Sequence, residues 1–389
     1  MKVLLVGNYV NDGQESMQKF AEFMEQGLSK AGHEVRLVRP PSIVGQLRSS
    51  GQGIGKWLGY ADKFGLFPPL LRTAAKLVDV VHICDHGNSF YARHLKSIPK
   101  VITCHDLLAV RCARGEFPQN RISWTGRKLQ TLIVKGLSQA QHVACASNAT
   151  RSDVLRITGI REQRVSRVYN SLNYPYSRME QSEAKSRLRR LSVDPAQPFL
   201  LHVGGNQWYK NRLGVLRIFS LLRAMTTGRN LKLVMVGKPW TTEMRHVVAE
   251  NGLTDVTAEM TAIPDEDLRA LYSTAALMLF PSFQEGFGWP IVEAQACGCP
   301  VATSARSPMD EVGGDAAIYI DPDSPASAAA TLEHALGNLP NIRESSVRNA
   351  ARFRSGMIEE YLSLYEKVCN GKAAERRSGE VSSDSARVH

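Results

Sequence analysis

The sequence predicts an α/β fold with two domains, each a parallel sheet flanked by helices. The chain has 389 residues, which at roughly 100 to 200 residues per domain suggests two domains. Short runs rich in Val and Ile alternate with segments of helical periodicity along nearly the whole chain, and such runs are typical of strands buried on both faces. This alternation favours parallel strands joined by right-handed helical crossovers.

The first half of the chain carries one series of these elements. Residues 2–7 form a strand candidate, and an apolar face at helical spacing (Met17, Phe20, Met24) follows, ending at Gly32. Further strand candidates follow in chain order at residues 33–38, 78–83, 101–104, 142–146 and 165–169.

A second series begins after residues 174–197, where prolines and a charged segment interrupt the pattern. We interpret this stretch as a linker with a flanking helix, and predict an N-terminal domain over residues 1–180 and a C-terminal domain over residues 181–355. The strand candidates of the second series are residues 199–203, 231–236, 276–280, 301–303 and 317–320. Its helix candidates are residues 213–222, 265–272, 290–296 and 326–336, with a closing helix near 357–368.

The composition excludes several classes of protein. Hydrophobic residues make up 43% and charged residues 22% of the chain, a globular balance that excludes disordered, collagen-like and coiled-coil chains. No apolar run reaches the roughly 18 residues of a membrane span, and the first residues read as a strand rather than a signal peptide. The seven cysteines include no C-x-x-C pair, so neither a zinc site nor a redox motif is indicated. We therefore expect a cytoplasmic protein.

The net charge of +11 lies entirely in the first half of the chain. Residues 1–180 hold 25 Lys and Arg against 13 Asp and Glu, whereas residues 181–389 hold 23 against 24. Such a surplus suits a nucleic acid, a membrane surface or an acidic substrate, although a solubilising surface is the simpler interpretation. No nucleic-acid-binding motif accompanies the charge, so we expect no nucleic-acid partner.

Two glycine-rich segments resemble nucleotide-binding loops only superficially. The segment Gly51–Lys56 is one residue too short for a phosphate loop, and Trp57 follows it where Ser or Thr is needed. The loop after the first strand contains no G-x-G-x-x-G pattern, which argues against a nicotinamide-dependent dehydrogenase.

Residues 280–300 carry the strongest chemical signal. A strand candidate ends at Phe280, a glycine-rich loop with Glu285 follows, and Pro290 suits the first turn of a helix that carries Glu293. Glycines let the backbone approach a ligand closely, and N–H groups at a helix start face an anion or a sugar. Considered alone, Glu293 has a simpler interpretation, in which its charge merely complements the helix dipole. The complete string after a buried strand favours a site in which two carboxylates accept hydrogen bonds from hydroxyls.

This string resembles the glutamate-x7-glutamate motif of the retaining glycosyltransferases of family 4. The segment Glu285-Gly-Phe-Gly-Trp-Pro290 and the position of Glu293 carry the resemblance. It extends to further segments at residues 201–205, 210–211, 263–268, 101–106 and 146–150. The family has the GT-B fold, so the resemblance implies two Rossmann-like domains facing a central cleft.

The resemblance implies a site for a nucleoside diphosphate sugar in the C-terminal domain. Glu293 would hold the ribose hydroxyls, Glu285 would contact the sugar, and Lys210 would neutralise the diphosphate leaving group. The other donor-side candidates are Gly204 and Gly205 near the phosphates, Met260, Thr261 and Ala262 beside the base, and the backbone of Gly286, Phe287 and Gly288. Many relatives pair the lysine with an arginine shortly before it, which this chain lacks; Arg212 is a candidate second cation.

The N-terminal domain would bind the acceptor. His105 would face the sugar, and we group it with Lys210 and Glu285 as catalytic candidates, although a histidine after a strand is more often structural. The acceptor-side candidates are Asp12, Gly13, Gln14 and Asp106. The closing helix at residues 356–370 would cross back to this domain, while residues 371–389 are predicted to be a disordered tail. The apolar face expected for the crossing comprises Phe353, Ile358, Tyr361, Leu362 and Tyr365.

The sequence thus predicts a retaining glycosyltransferase, of the hexosyltransferase type, that acts in bacterial glycan or polysaccharide assembly. The resemblance implies no metal and no cofactor besides the nucleotide-sugar substrate. Two alternatives remain open: a nucleotide-sugar epimerase of the same fold, and a GT-B binding module without turnover. The basic N-terminal half predicts an anionic or lipid-linked acceptor and peripheral contact with the inner face of the membrane.

Overall fold

A computed structural model describes residues 1–45 and 58–385 of the chain, with the side chains of residues 338 and 372–385 left out. The chain divides into two compact units. Unit 1 comprises Met1–Tyr169 and Gly356–His389, and unit 2 comprises Asn170–Ser355. The rejected phosphate-loop segment at residues 51–56 lies outside the described residues.

Unit 1 is built on a six-stranded sheet with the order β2-β1-β3-β4-β5-β6. All of its neighbouring strands pair in parallel. The strands are β1 (Lys2–Val6), β2 (Glu34–Val38), β3 (Val80–Ile83), β4 (Lys100–Cys104), β5 (His142–Cys145) and β6 (Val165–Arg167). The four strands β1, β3, β4 and β5 are buried almost throughout, as the Val- and Ile-rich runs predict for a sheet covered on both faces.

Helices cover both faces of this sheet. Phe20, Met24 and Leu28 recur at helical spacing on α1 and are buried against the sheet. At α5, the Ser147 hydroxyl accepts a hydrogen bond from the backbone of Thr150, and Gly159 ends the helix in a left-handed conformation. The helices are α1 (Glu15–Lys30), α2 (Phe67–Ala74), α3 (Leu108–Ala113), α4 (Trp124–Ser138) and α5 (Asn148–Thr158).

Unit 2 is built on a second six-stranded parallel sheet, with the order β12-β11-β10-β7-β8-β9. Its strands are β7 (Phe199–Gly204), β8 (Lys232–Gly237), β9 (Thr257–Met260), β10 (Leu277–Phe280), β11 (Val301–Ser304) and β12 (Ala317–Ile320). Its helices are α6 (Gln181–Arg190), α7 (Arg212–Arg223), α8 (Thr242–Glu250), α9 (Asp265–Thr274), α10 (Trp289–Ala296), α11 (Met309–Gly313), α12 (Pro325–Ala335) and α13 (Leu339–Ala350). The predicted α/β class with two parallel sheets is confirmed.

The last helix, α14 (Met357–Ser385), belongs to unit 1. The Tyr361 hydroxyl lies 2.6 Å from Thr103 Oγ1, and the Tyr365 hydroxyl lies 2.7 Å from His82 Nδ1. The helical backbone continues to Ser385, beyond residue 370 where the sequence predicts a tail. Phe353 does not share the face of this helix, because it ends a 3₁₀ turn in unit 2 and packs on Phe287.

Candidate active site

The carboxyl ends of β7 and β8 meet at two glycines. Gly204 pairs with Gly237 in the register of the two strands, and a Cβ on Gly237 would lie 2.0 Å from the Gly204 carbonyl oxygen. Gly237 also has a φ of 148°, a conformation that side chains rarely allow. Beneath Gly204 lies His202, whose pKa burial lowers to about 3. The two backbones therefore approach each other more closely here than any side chain at residue 237 would allow.

Two loops of unit 2 are joined where the strongest motif lies. Asn211 accepts a hydrogen bond from Gly214 N at the start of α7 and donates one to the Pro281 carbonyl. The backbone N–H of Phe283 donates to the Tyr209 carbonyl at 2.7 Å. The loop after β7 and the loop after β10 are thereby held side by side.

This junction brings Lys210 and Glu285 together. Lys210 Nζ lies 2.8 Å from each carboxylate oxygen of Glu285, and the two side chains are only 17% and 7% exposed. The two residues are 75 positions apart, so the pair is a product of the fold. Each charged group stabilises the other in a partly dry setting, where an ion pair is stronger than on a free surface.

Glu293 lies in the predicted helix, α10. Gly288 caps that helix with a φ of 98°, and Pro290 occupies its first turn. The carboxylate of Glu293 accepts a hydrogen bond from the Tyr272 hydroxyl at 3.0 Å, and the residue is buried. Burial and the charge of Glu293 hold the pKa of Tyr272 well above its usual range, so the phenol stays a donor.

Arg212, the candidate second cation, lies at the start of α7, two residues after Lys210. Its guanidinium is buried and donates to Asn206 Oδ1 and, at 2.8 Å, to the Lys238 carbonyl. Its Nε and Nη2 atoms have no hydrogen-bond partner among the described residues. Burial lowers the pKa of Arg212, against the opposing charge of Glu259. The residue therefore holds the loop after β8 through the Lys238 carbonyl.

The remaining donor-side candidates lie on neighbouring segments. Met260 ends β9 in register with Val236, and Ala262 follows with a left-handed φ of 50°. The side chain of Phe287 is buried against Phe353, which leaves its backbone for the expected role. The described contacts do not join Met260, Thr261 or Ala262 directly to the Lys210–Glu285 pair.

Two Asp-x-Asp triplets occur in unit 2, and both are engaged by arginines. Asp267 at the start of α9 forms an ion pair with Arg187 at 3.0 Å. In the second triplet, Asp323 pairs with Arg306. Within the described residues, no group of three or more His, Cys, Asp or Glu side chains is arranged to hold a metal ion.

In unit 1, the structure places His105 at the end of β4. The residue is 4% exposed, its Nε2 lies 2.9 Å from the Cys84 carbonyl oxygen, and the Phe20 ring packs edge-on at 4.7 Å between ring centres. Burial lowers the pKa of His105, although the charge of Asp85 opposes the shift. Its expected contact with the sugar stays a prediction.

The acceptor-side candidates have different settings. Asp12 pairs with Lys63 at 2.8 Å, and Asp106 accepts a hydrogen bond from Leu108 N at the start of α3. Gly13 has a left-handed φ of 64°, with open space where a Cβ would stand. Gln14 Oε1 accepts a hydrogen bond from Asn8.

Sequence reasoning missed a buried polar network at the same edge of the sheet. Asn8 Nδ2 donates to Asp85 at 2.6 Å, and His86 Nδ1 lies 3.0 Å from the other Asp85 oxygen. Burial would raise the pKa of Asp85, but His86, His105 and Asn8 lower it below its usual range. Asp85 in turn raises the pKa of His86 against burial. The signal was available, since Asn8 and Asp85 follow buried strands just as His105 does.

The fold and the site together define a class. The chain is similar to HepE from Anabaena, solved in complex with UDP and glucose, with a TM-score of 0.70 at 15% identity, covering 97% of this chain and 100% of that chain. At this level of identity the likeness shows the fold, which is GT-B.

Two family models match the chain in succession. Residues 17–174 match the model described as Glycosyltransferase Family 4, and residues 186–353 match the model described as Glycosyl transferases group 1. The chain belongs to this family and is a glycosyltransferase.

Curated relatives agree with that assignment. O-antigen chain mannosyltransferase B of Escherichia coli is 28% identical over 285 residues, 73% of this chain and 71% of the relative. D-inositol 3-phosphate glycosyltransferase 2 of Catenulispora acidiphila is 26% identical over 310 residues, 72% and 71% of the two chains. Among the described residues, no helix combines the length and apolar character needed to cross a bilayer.

Proposed function

We propose that this glycosyltransferase moves a hexose from a nucleoside diphosphate sugar to a hydroxyl acceptor, with retention of configuration, during assembly of a bacterial glycan. The observation that carries the proposal is the Lys210–Glu285 pair at the carboxyl edge of the unit 2 sheet, where open α/β sheets bind ligands. The name of the E. coli relative, an O-antigen chain mannosyltransferase, supports a glycan of that kind. The UDP and glucose bound to HepE support a nucleotide sugar.

The chemistry would be largely electrostatic. The bond from the sugar C1 to the phosphate oxygen breaks, and a bond from C1 to the acceptor oxygen forms on the same face. The acceptor proton passes to the leaving phosphate oxygen. Lys210 and the loop N–H groups would stabilise the charge that develops on the diphosphate, while Glu285 would hold the sugar and Glu293 the ribose. The catalytic role of His105 remains part of the proposal.

A metal ion would not be required for this reaction. Lys210, the guanidinium of Arg212 and the backbone N–H groups would supply the positive potential that a diphosphate needs. Transfer should therefore continue in excess EDTA. A requirement for added manganese or magnesium would contradict this part of the proposal.

The test uses a panel of nucleoside diphosphate sugars with the full chain. Thermal-shift screening first identifies the base and sugar that bind, and NMR of the product with a glycan acceptor then gives the anomeric configuration. An α-linked product from an α-linked donor supports retention, and inversion contradicts it. Conversion of the donor sugar without acceptor would instead indicate the epimerase, and binding without turnover would indicate a binding module.

A further inference from the structure

The helix α4 of unit 1 lies in a basic stretch of the chain that contains no acidic residue. Residues 117–152 contain no Asp or Glu, and α4 lies within this stretch. The exposed cations of this stretch, Arg121, Arg127, Lys128 and Lys135, form no ion pair with any described residue. By contrast, α1 on the other side carries three Glu and two Lys. The two helices thus differ in charge: α4 is purely basic, whereas α1 carries both signs.

The topology explains why the two helices lie on opposite faces. The connection from β1 to β2 runs in one direction along the sheet, and the connection from β4 to β5 runs in the other. Because both crossovers are right-handed, α1 and α4 cover opposite faces. The inner face of α4 is fixed by Gly136, where a Cβ would lie 2.3 Å from the backbone of Ser89. Its outer face is left to solvent.

This outer face also exposes large apolar side chains. Trp124 is 68% and Leu132 38% exposed, and the ammonium of Lys128 lies 3.6 Å from the centre of the Trp124 ring. Tryptophan with surrounding cations and no acids is the composition that suits the headgroup region of an anionic bilayer.

We infer that the outer face of α4, with Trp124, Lys128, Leu132 and Lys135, docks unit 1 on an anionic phospholipid surface. This inference rests on the proposed glycan transfer and on the lipid-linked acceptor that the sequence predicts. Since α4 precedes β5, it runs from the carboxyl edge of the sheet to the amino edge. Trp124 therefore lies toward the edge where His105 and Asp106 follow β4. Docking through this end brings the acceptor-side edge close to the lipid headgroups.

The experiment compares binding of the full chain to vesicles of phosphatidylglycerol with phosphatidylcholine and to phosphatidylcholine alone. The charge-reversal variant K128E/K135E should lose roughly 30-fold or more in partitioning to the anionic vesicles, because each cation near such a surface contributes substantially. Trp124→Ala should lose about tenfold, as expected for an apolar side chain withdrawn from the interface. The matched control K30E/R36E carries the same change of charge on α1 and on the edge strand β2, and should keep more of the binding.

Several results would overturn the inference. Equal binding to neutral vesicles, or equal losses in K128E/K135E and the control, would remove the role of this face. Binding to RNA but not to anionic vesicles would assign the face to a nucleic acid. A dimer in sedimentation velocity that depends on Trp124 would assign it to a second copy of the chain. Melting temperature and nucleoside diphosphate binding are measured on every variant. Normal nucleotide binding with lost vesicle binding separates this surface from the donor site, whereas failed nucleotide binding by the wild type would count against the proposed function alone.

Discussion

At the scale of single residues, the Lys210–Glu285 pair raises a question of competition. Both groups are proposed to serve the donor, yet here each satisfies the other at 2.8 Å. To bind Lys210, a nucleoside diphosphate without its sugar would have to break the ion pair and leave Glu285 without a partner. The complete donor would also break the pair, but its sugar hydroxyls would donate hydrogen bonds to Glu285. If both groups serve the donor, the ion pair should favour the complete donor over the product nucleotide.

The substitution Glu285→Gln tests this idea. Removing the charge should release Lys210, so that the nucleoside diphosphate binds about threefold to tenfold more tightly, while transfer falls roughly 100-fold or more. Calorimetry gives the affinity and a coupled assay gives the rate. Glu344→Gln, on an exposed ion pair of α13, makes the same chemical change elsewhere. Weaker nucleotide binding in Glu285→Gln would argue against competition within the pair.

Glu293 is expected to act on the nucleotide through its carboxylate. Replacing it with Gln removes a charged acceptor, which should weaken nucleoside diphosphate binding about tenfold or more. Tyr272→Phe, which removes only the phenol that donates to Glu293, should have a smaller effect because the carboxylate remains. If Glu293→Gln lowered the melting temperature but left the dissociation constant unchanged, its role would be structural.

The Asp85–His86 pair predicts a dependence of stability on pH. A histidine whose pKa is raised in the folded state contributes stability below its ordinary value of 6.5, and this contribution is lost as the pH rises through the folded pKa. The lowered pKa of Asp85 has the opposite sense, so its contribution is lost only in acid. A double-mutant cycle of Asp85→Asn and His86→Gln should give a coupling of about 1.5–3 kcal/mol near pH 5.5 that shrinks near pH 8.5. A coupling that is equal at both pH values would contradict the pairing.

At the scale of elements, the sequence predicts those strands and helices that have a clear hydrophobic pattern. The strands of both sheets and helices such as α1 follow from Val- and Ile-rich runs and helical spacing. The sequence does not predict the strand β9, because Thr257-Ala-Glu-Met lacks such a run and forms a half-buried edge strand. The sequence does not predict the helix α4 either, because its exposed Trp124 obscures the amphipathic pattern. Tertiary contacts determine these two elements more than the local secondary-structure propensity of their residues: β9 pairs with β8, and α4 packs through its inner face.

The last helix offers a test of how an element is held in unit 1. Tyr361 is 1% exposed, stacks on His82 at 4.8 Å and shares a hydrogen bond with Thr103. Tyr361→Ala should lower the free energy of unfolding by about 3–5 kcal/mol, since it leaves a large cavity. Tyr361→Phe should lower it by about 1 kcal/mol through the hydroxyl. Urea denaturation followed by circular dichroism measures both, with the exposed Ser363→Ala as control. A loss in Tyr361→Ala no larger than in this control would show that the helix adds little to unit 1.

At the scale of the whole molecule, the class of fold follows from the sequence more readily than the geometry of the site. Alternation over 389 residues is enough for two parallel sheets, and the Glu285 and Glu293 string marks one edge. The contact of Lys210 with Glu285 depends on how Asn211 joins two distant loops, which no local pattern encodes. The same holds for the buried Asp85 network, whose members lie in loops that follow separate strands.

The two units should respond differently to salt. The cations on α4 are exposed and act through water, where the screening length shrinks from about 10 Å at 0.1 M to about 3 Å at 1 M. The Lys210–Glu285 site is mostly buried and acts at contact distance, so it is screened much less. Raising the salt from about 0.05 to 0.5 M should therefore reduce anionic-vesicle binding by roughly tenfold or more, yet change nucleoside diphosphate affinity by less than about threefold. Sedimentation and calorimetry on the same preparation measure the two quantities. If vesicle binding and nucleoside diphosphate affinity fell in parallel, both would depend on the same long-range electrostatic attraction. The assignment of a docking face to unit 1 and a separate donor site to unit 2 would then be wrong.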